Sequence, residues 1–324
     1  MGWHKELTQG FHTPQALLAY LQLPASMLPA TLAANQLFST RVPLSFAKRM
    51  QKGTLNDPLL KQVLPARDEE KNHADYVTDP LQERSANPIS GLLHKYHGRA
   101  LMIVAGSCAI NCRYCFRRHF NYQDNQLARH DWQRVVDYFC QDKTLTEIIL
   151  SGGDPLMLKD SVFSALLDTL CTIPQLTTIR IHSRLPVVIP SRITHHLLNA
   201  LHQTNKRIVL VIHSNHPNEI NDEVKAALAP LLTQKITCLN QSVLLKGIND
   251  NPGILAQLSH ALFDAGVLPY YLHLPDKVRG TQHFDVEQKR ACDIHHQLQS
   301  LLPGYLVPKL VAEVPGKRSK ITLS

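Results

Sequence analysis

The chain has 324 residues, 44% of them hydrophobic, and 34 lysines and arginines against 26 acids give a formal charge of +8. That size and apolar share fit one large core, of barrel size or of barrel size with a smaller partner region. Seven unevenly placed cysteines exclude a disulfide scaffold. No apolar run reaches the ~18 residues of a membrane span. The opening Met1-Gly-Trp-His-Lys-Glu lacks the apolar stretch of a signal peptide, and Glu6 stands where a myristoylation motif needs Ser or Thr. Apart from Arg117-Arg118 and Lys317-Arg318 the basic residues are dispersed, which argues against nucleic-acid binding. A cytoplasmic location, without membrane attachment, is expected.

In chain order, residues 1–94 read as a helical, loop-interrupted N-terminal region. Thr13-Pro14 opens a periodic apolar stretch, with Thr13 as cap and Pro14 in the first turn, and Pro24 closes it. Val42 to Met50 predicts a second helix, and Asn56-Asp57-Pro58 opens a short third. The polar, turn-rich stretch 67–87 reads equally as a surface loop or a lid. From Ala100 strands and helices alternate. Strands are expected at Leu101–Ala105, Glu147–Ser151, Thr178–His182, Ile208–Ile212, Thr237–Val243 and Leu268–His273. Helices are expected at Trp132–Cys140, Val162–Leu170, His195–Gln203, Asn221–Leu232, Ile254–Ala265 and Glu287–Leu298. This is the pattern of parallel βα units. Six strands fall short of a closed eight-stranded barrel, so a partial (β/α)6 barrel is the predicted architecture. Active groups then belong at the C-terminal ends of its strands. The domain reading is residues 1–94 as the helical region, 95–300 as the partial barrel and 301–324 as a C-terminal segment.

After the first barrel strand comes Cys108-Ala-Ile-Asn-Cys112-Arg-Tyr-Cys115, a C-x3-C-x2-C run. Closely spaced thiols in a reducing compartment indicate metal. A zinc site of three cysteines and His119 satisfies the arithmetic, but zinc sites use ligand pairs from separate turns. Three cysteines on a [4Fe–4S] cluster, which ordinarily takes four, leave one iron open. Cys140, Cys171, Cys238 and Cys292 stand alone and read as small core residues.

The cysteine spacing, with Tyr114 before the third thiol, resembles the radical S-adenosylmethionine superfamily. In that superfamily the open iron chelates the amino and carboxylate groups of S-adenosylmethionine, whose reductive cleavage gives a 5′-deoxyadenosyl radical. The resemblance makes Cys108, Cys112 and Cys115 the metal ligands. It makes Ser151-Gly152-Gly153-Asp154 the station for the methionyl amino group. His213 at the end of the fourth strand and Gln241 within the fifth are further cofactor candidates. His216 and Glu219 are expected to shape a loop and cap a helix.

Within the superfamily, His94-Lys95-Tyr96-His97-Gly98-Arg99, Cys115-Phe116-Arg117-Arg118, His216-Pro-Asn-Glu219, Asn240-Gln-Ser-Val-Leu-Leu-Lys-Gly247 and Pro269-Tyr-Tyr together resemble the lysine 2,3-aminomutase family. The match runs in order from about residue 85 to the end of the sequence. The family pairs the radical with pyridoxal 5′-phosphate, which needs a lysine amine and a cationic phosphate site. The resemblance selects Lys320 in Pro315-Gly-Lys317-Arg-Ser-Lys320 as the catalytic, cofactor-bearing lysine, with Lys317 as its rival. It puts Lys95 and Arg99 on the phosphate. It puts Arg117 on the substrate carboxylate, which suits an arginine fork, and Asp276 and Glu313 on the far ammonium. Two acids at that end favour lysine and repel a glutamate side chain.

Because the sequence lacks the family's further C-terminal segment after Lys320, it resembles the short branch that makes (R)-β-lysine for modification of elongation factor P. The implied partners are free L-lysine and, functionally, elongation factor P and the ligase that attaches the product. Direct contact with that factor and a homo-oligomeric state stay open. The alternatives are an aminomutase for another amino acid, or a radical enzyme without pyridoxal phosphate that modifies RNA or protein.

Overall fold

The computed structural model describes residues 2–71 and 73–323. A single nine-stranded sheet runs in simple chain order. Its strands are β1 (Leu92–Tyr96), β2 (Arg99–Ala105), β3 (Glu147–Gly152), β4 (Thr178–Ser183), β5 (Arg207–His213), β6 (Thr237–Val243), β7 (Leu268–His273), β8 (Lys309–Ala312) and β9 (Ile321–Thr322). Strands β2 to β8 are parallel, whereas β1 and β9 pair antiparallel at the two edges. Helices Trp132–Gln141, Asp160–Cys171, His195–Gln203, Asp222–Thr233, Pro252–Asp264 and Gln288–Leu301 follow β2 to β7 in turn, one per strand. The result is the expected partial barrel of six βα units, with β8 added after the last helix.

Local sequence explains the helix starts. Thr194 accepts from the Leu197 N–H at 3.0 Å, Asn221 from Val224 at 3.2 Å and Asn251 from Gly253 at 2.8 Å. Each satisfies an amide that a first turn leaves unpaired. The barrel strands bury their apolar side chains against these helices, and β4 alternates buried and half-buried residues along its length.

In the N-terminal region Thr13 caps Pro14–Tyr20, and Asp57 caps Pro58–Lys61 through Leu59 and Leu60. The stretch 42–50 behaves differently from expectation. Only Leu44–Ala47 is helical, because Pro43 begins it and Val42 is paired in a β-bridge with Phe11. Helices Trp3–Thr8 and Leu28–Leu37 were not foreseen. This region shares one apolar core with the barrel: Leu17, Phe46 and Leu60 are fully buried in the cluster that holds Ile148, Ile179 and Leu210. It also buttresses the cysteine loop. Arg41 donates to the Cys108 carbonyl at 2.9 Å, and the Arg113 N–H donates to the Gln62 carbonyl at 2.8 Å. No helix among the described residues is long and apolar enough to cross a membrane.

Candidate active site

The C-terminal ends of β2 to β7 converge on a cavity of about 420 Å³, within the usual size of small-molecule sites. Cys108, Cys112 and Cys115 form part of its wall, facing Ser151–Asp154 across the end of β3. Here the glycines are set by packing. A Cβ on Gly153 would meet the Ser107 carbonyl oxygen at 2.3 Å, and Gly152 has φ +121° with the Ala105 carbonyl 2.5 Å from a Cβ position. Only glycine lets the β3 terminus lie against the cysteine-bearing segment. The Gly153 N–H donates to the Ala105 carbonyl at 2.7 Å and the Asp154 N–H to the Ser107 carbonyl at 2.9 Å.

The Asp154 side chain is fully engaged within the protein. One carboxylate oxygen accepts from the Leu156 N–H and the Ser183 hydroxyl, the other from the Arg184 and Leu185 N–H groups, all at 2.7–3.0 Å. Tyr114 is similarly tied down, its hydroxyl 2.8 Å from His213 Nε2 and 2.7 Å from Asn215 Nδ2. Burial, assisted by the Arg184 charge, pushes the His213 imidazole well below its ordinary range, so it is neutral. Gln241 lines the cavity, whereas the neighbouring Asn240 spends its amide on Ser214 and Ser242. His216 and Glu219 do shape their loop, with Glu219 accepting from the Asn215 and His216 N–H groups.

The opposite wall carries a relay of alternating charges. Arg117 Nε and Nη2 each donate to Glu83 at 2.8 Å, and Arg117 Nη1 reaches Ser151 Oγ at 3.2 Å. Lys95 Nζ lies 3.7 Å from Glu83 and 3.4 Å from Glu313, and Lys320 pairs with the other oxygen of Glu313. Burial works against charge on Glu313, but the charge and hydrogen bond of Lys320, with Lys95 and Tyr96, together outweigh it and hold the carboxyl down to about 2. Arg99 stacks over the Tyr96 ring at 4.8 Å on the same wall. Lys317 is exposed and off the cavity, whereas Lys320 lines it. Asp276 does not line it. It sits close enough for burial, then the Glu313 charge, to push its carboxyl up to about 7.

Polar residues of this cavity that escaped the sequence reading include Glu83, Tyr122, Arg180, His182 and His273. Glu83 comes from the 67–87 stretch, which is anchored over the strand ends by the Glu69 pairs to Arg113 and Arg118 and by a β-bridge between Val77 and Val278. His182 and His273 are, or adjoin, the last residues of β4 and β7, where the period-two pattern could have marked them.

The donors fit the groups that the sequence implies. His119 turns to the Arg279 carbonyl at 3.1 Å, away from the thiols. Among the described residues no three His, Cys, Asp or Glu side chains converge as a single-ion site requires. Three thiols on one cavity suit an iron–sulfur cluster, whose irons take thiolate ligands. Burial pushes the Cys115 thiol up to about 11 and raises Cys108 well above its ordinary value, so cluster assembly must displace protons. For pyridoxal phosphate the cavity offers the Lys320 amine, the Lys95 and Arg99 cations, and a buried His182 Nε2 that has no hydrogen-bond partner. An orphaned polar atom at a cavity wall implies a bound polar group.

Comparison with known proteins agrees with this geometry. Residues 97–179 match the family described as a 4Fe-4S single cluster domain. A radical SAM methyltransferase from Sphaerobacter thermophilus aligns over 68% of each chain with a TM-score of 0.50 at 16% identity. The barrel thus shares the fold of that enzyme. L-lysine 2,3-aminomutase of Escherichia coli (strain K12) is 49% identical over 99% of this chain and 94% of its own length. The Haemophilus influenzae protein of that name is 46% identical over 98% and 94%, and the Clostridium subterminale one 35% over 82% and 64%. The chain belongs to the lysine 2,3-aminomutase family.

Proposed function

We propose that the protein isomerises free L-lysine to β-lysine by moving its amino group from C2 to C3. The observation that carries this reading is the meeting, in one cavity, of three cysteines, the Lys320 amine and the Arg117 fork. When bound, the cluster and S-adenosylmethionine supply a carbon-centred radical, and pyridoxal phosphate supplies the carbonyl that carries the migrating nitrogen.

In this reading Cys108, Cys112 and Cys115 hold the cluster, and the chain from Ser151 to Asp154 borders the S-adenosylmethionine site. Tyr114, His213 and Gln241 complete that wall. Lys95 and Arg99 receive the phosphate, and Lys320 holds the cofactor's aldehyde carbon between turnovers. Glu313, which pairs with Lys320 and faces Lys95, would accept the ammonium at the far end of lysine together with Asp276. At the near end the substrate carboxylate takes the place of Glu83 on Arg117. Displaced from Arg117, Glu83 would still face Lys95 at 3.7 Å. The stretch 67–87 covers the strand ends and excludes water from the radical.

We propose further that the product is (R)-β-lysine, made for modification of elongation factor P. The higher identity with the Escherichia coli protein, 49% against 35% with the Clostridium subterminale protein, supports placement beside the former. The test is anaerobic incubation of cluster-loaded protein with L-lysine, S-adenosylmethionine, pyridoxal phosphate and a low-potential reductant, followed by chiral separation. (R)-β-lysine is the expected product; recovery of α-lysine alone contradicts the assignment.

A further inference from the structure

Arg184 follows β4 and is 7% exposed. A buried cation needs acceptors in every direction its fork points. Arg184 Nη2 donates to Glu219 at 2.9 Å and to Gln62 Oε1 at 2.7 Å. Arg184 Nη1 donates to the Cys112 sulfur at 2.7 Å. The guanidinium lies between the Phe46 ring, 5.3 Å away, and the Tyr114 ring, 5.7 Å away. Its backbone N–H is fixed on Asp154. The fork is thus held on both faces and at both terminal nitrogens, while its buried Nε has no partner.

The cysteines are therefore not equivalent. Arg41 reaches Cys108 through its carbonyl, not its sulfur. Only the Cys112 sulfur receives a guanidinium N–H among the contacts described. Hydrogen bonds and positive charge at a ligand sulfur stabilise the electron-rich, reduced state of an iron–sulfur cluster.

We propose that Arg184 is a positioning residue for the cluster: it fixes the Cys112 thiolate and raises the cluster's reduction potential, with Glu219 and Gln62 holding the fork on the sulfur. The role goes beyond retaining iron, because it sets how readily the cluster accepts the electron that S-adenosylmethionine later takes. It rests on the cluster reading of Cys108, Cys112 and Cys115, so wild-type protein is first reconstituted and its iron counted. Failure of iron uptake there sinks that reading, and is distinct from every outcome below.

The test is a redox titration followed by electron paramagnetic resonance, run without and with S-adenosylmethionine, on wild type, Arg184→Gln and Arg184→Lys at matched iron content. In Arg184→Gln without S-adenosylmethionine, the ratio of reduced to oxidised cluster at a fixed potential is expected to fall about tenfold, a shift toward more negative midpoint. Arg184→Lys keeps the charge and loses the fork, so it should fall between the two. If Arg184→Gln does not load, Arg184→Lys decides by the same criterion. Curves that coincide with wild type in the absence of S-adenosylmethionine and separate only in its presence overturn the proposal, and make Arg184 a ligand of that molecule. A fully loaded Arg184→Lys with wild-type potential beside an unloaded Arg184→Gln also overturns it, leaving only a folding role.

Discussion

Both carboxylate oxygens of Glu83 lie 2.8 Å from nitrogens of the Arg117 guanidinium, in the buried, two-point geometry with which arginine receives a free carboxylate. A segment of the chain thus holds the seat that the substrate carboxylate is proposed to take. Glu83→Gln removes a buried partner and leaves Arg117 uncompensated, which should cost about 3 kcal/mol of stability. Lysine restores the missing carboxylate. Thermal unfolding of the cofactor-loaded variant should therefore show a lower melting temperature than wild type and a larger rise on adding lysine. An equal rise in both proteins would mean that Arg117 does not meet the substrate.

Asp276 supplies a pH dependence. Its carboxyl is pushed up to about 7 by burial and the Glu313 charge, against an ordinary value near ~3.9. The folded state then binds the proton more tightly than the unfolded state, so this group's contribution to stability falls as pH rises from about 4 to 7 and is flat above. Asp276→Asn should remove that slope and raise the melting temperature at pH 8. It should also raise KM for lysine, because the variant lacks the anion that holds the far ammonium. In wild type the same anion forms only as pH rises through 7, so KM should fall over that interval.

Lys320 and Lys317 separate cleanly. Lys320 lines the cavity and pairs with Glu313, whereas Lys317 is exposed. Borohydride reduction of the loaded protein, followed by peptide mapping, should place the pyridoxyl adduct on Lys320. Lys320→Ala should lose both adduct and turnover to background, and Lys317→Ala should keep both. An adduct on Lys317 would reverse the assignment.

Gly153 tests whether the cysteine loop depends on the end of β3. An alanine methyl would meet the Ser107 carbonyl at 2.3 Å, so one backbone must move. Gly153→Ala should destabilise the protein by about 1–3 kcal/mol and lower the iron bound per chain after reconstitution. Wild-type iron content with unchanged melting would show that the contact relaxes freely.

The alternation of strands and helices was legible because the elements carry distinct hydrophobic periods and several helix starts, such as those after Thr194, Asn221 and Asn251, carry a capping side chain. Short edge strands such as Ile321–Thr322 and the β-bridge that shortens the helix near Val42 depend on partners far along the chain, which no local pattern encodes. The same distinction governs the site. The cysteine run is a local spacing, so it could be read directly. Glu83 is an ordinary acid in a polar loop until folding brings it 34 positions along the chain to Arg117. The Asp154 carboxylate shows the opposite case. It lines the cavity as expected, and its four internal donors, which no local spacing announces, join the ends of β3 and β4.

The central claim is that cluster, radical source and lysine share the cavity at the strand ends. Turnover of lysine deuterated at C3, with sub-stoichiometric S-adenosylmethionine, tests it most directly, because hydrogen removed from C3 must pass through the adenosyl carbon and return. Mass spectrometry of recovered S-adenosylmethionine should show deuterium in its adenosyl group, growing with the amount of β-lysine formed. Deuterium-free S-adenosylmethionine recovered alongside β-lysine would contradict the account.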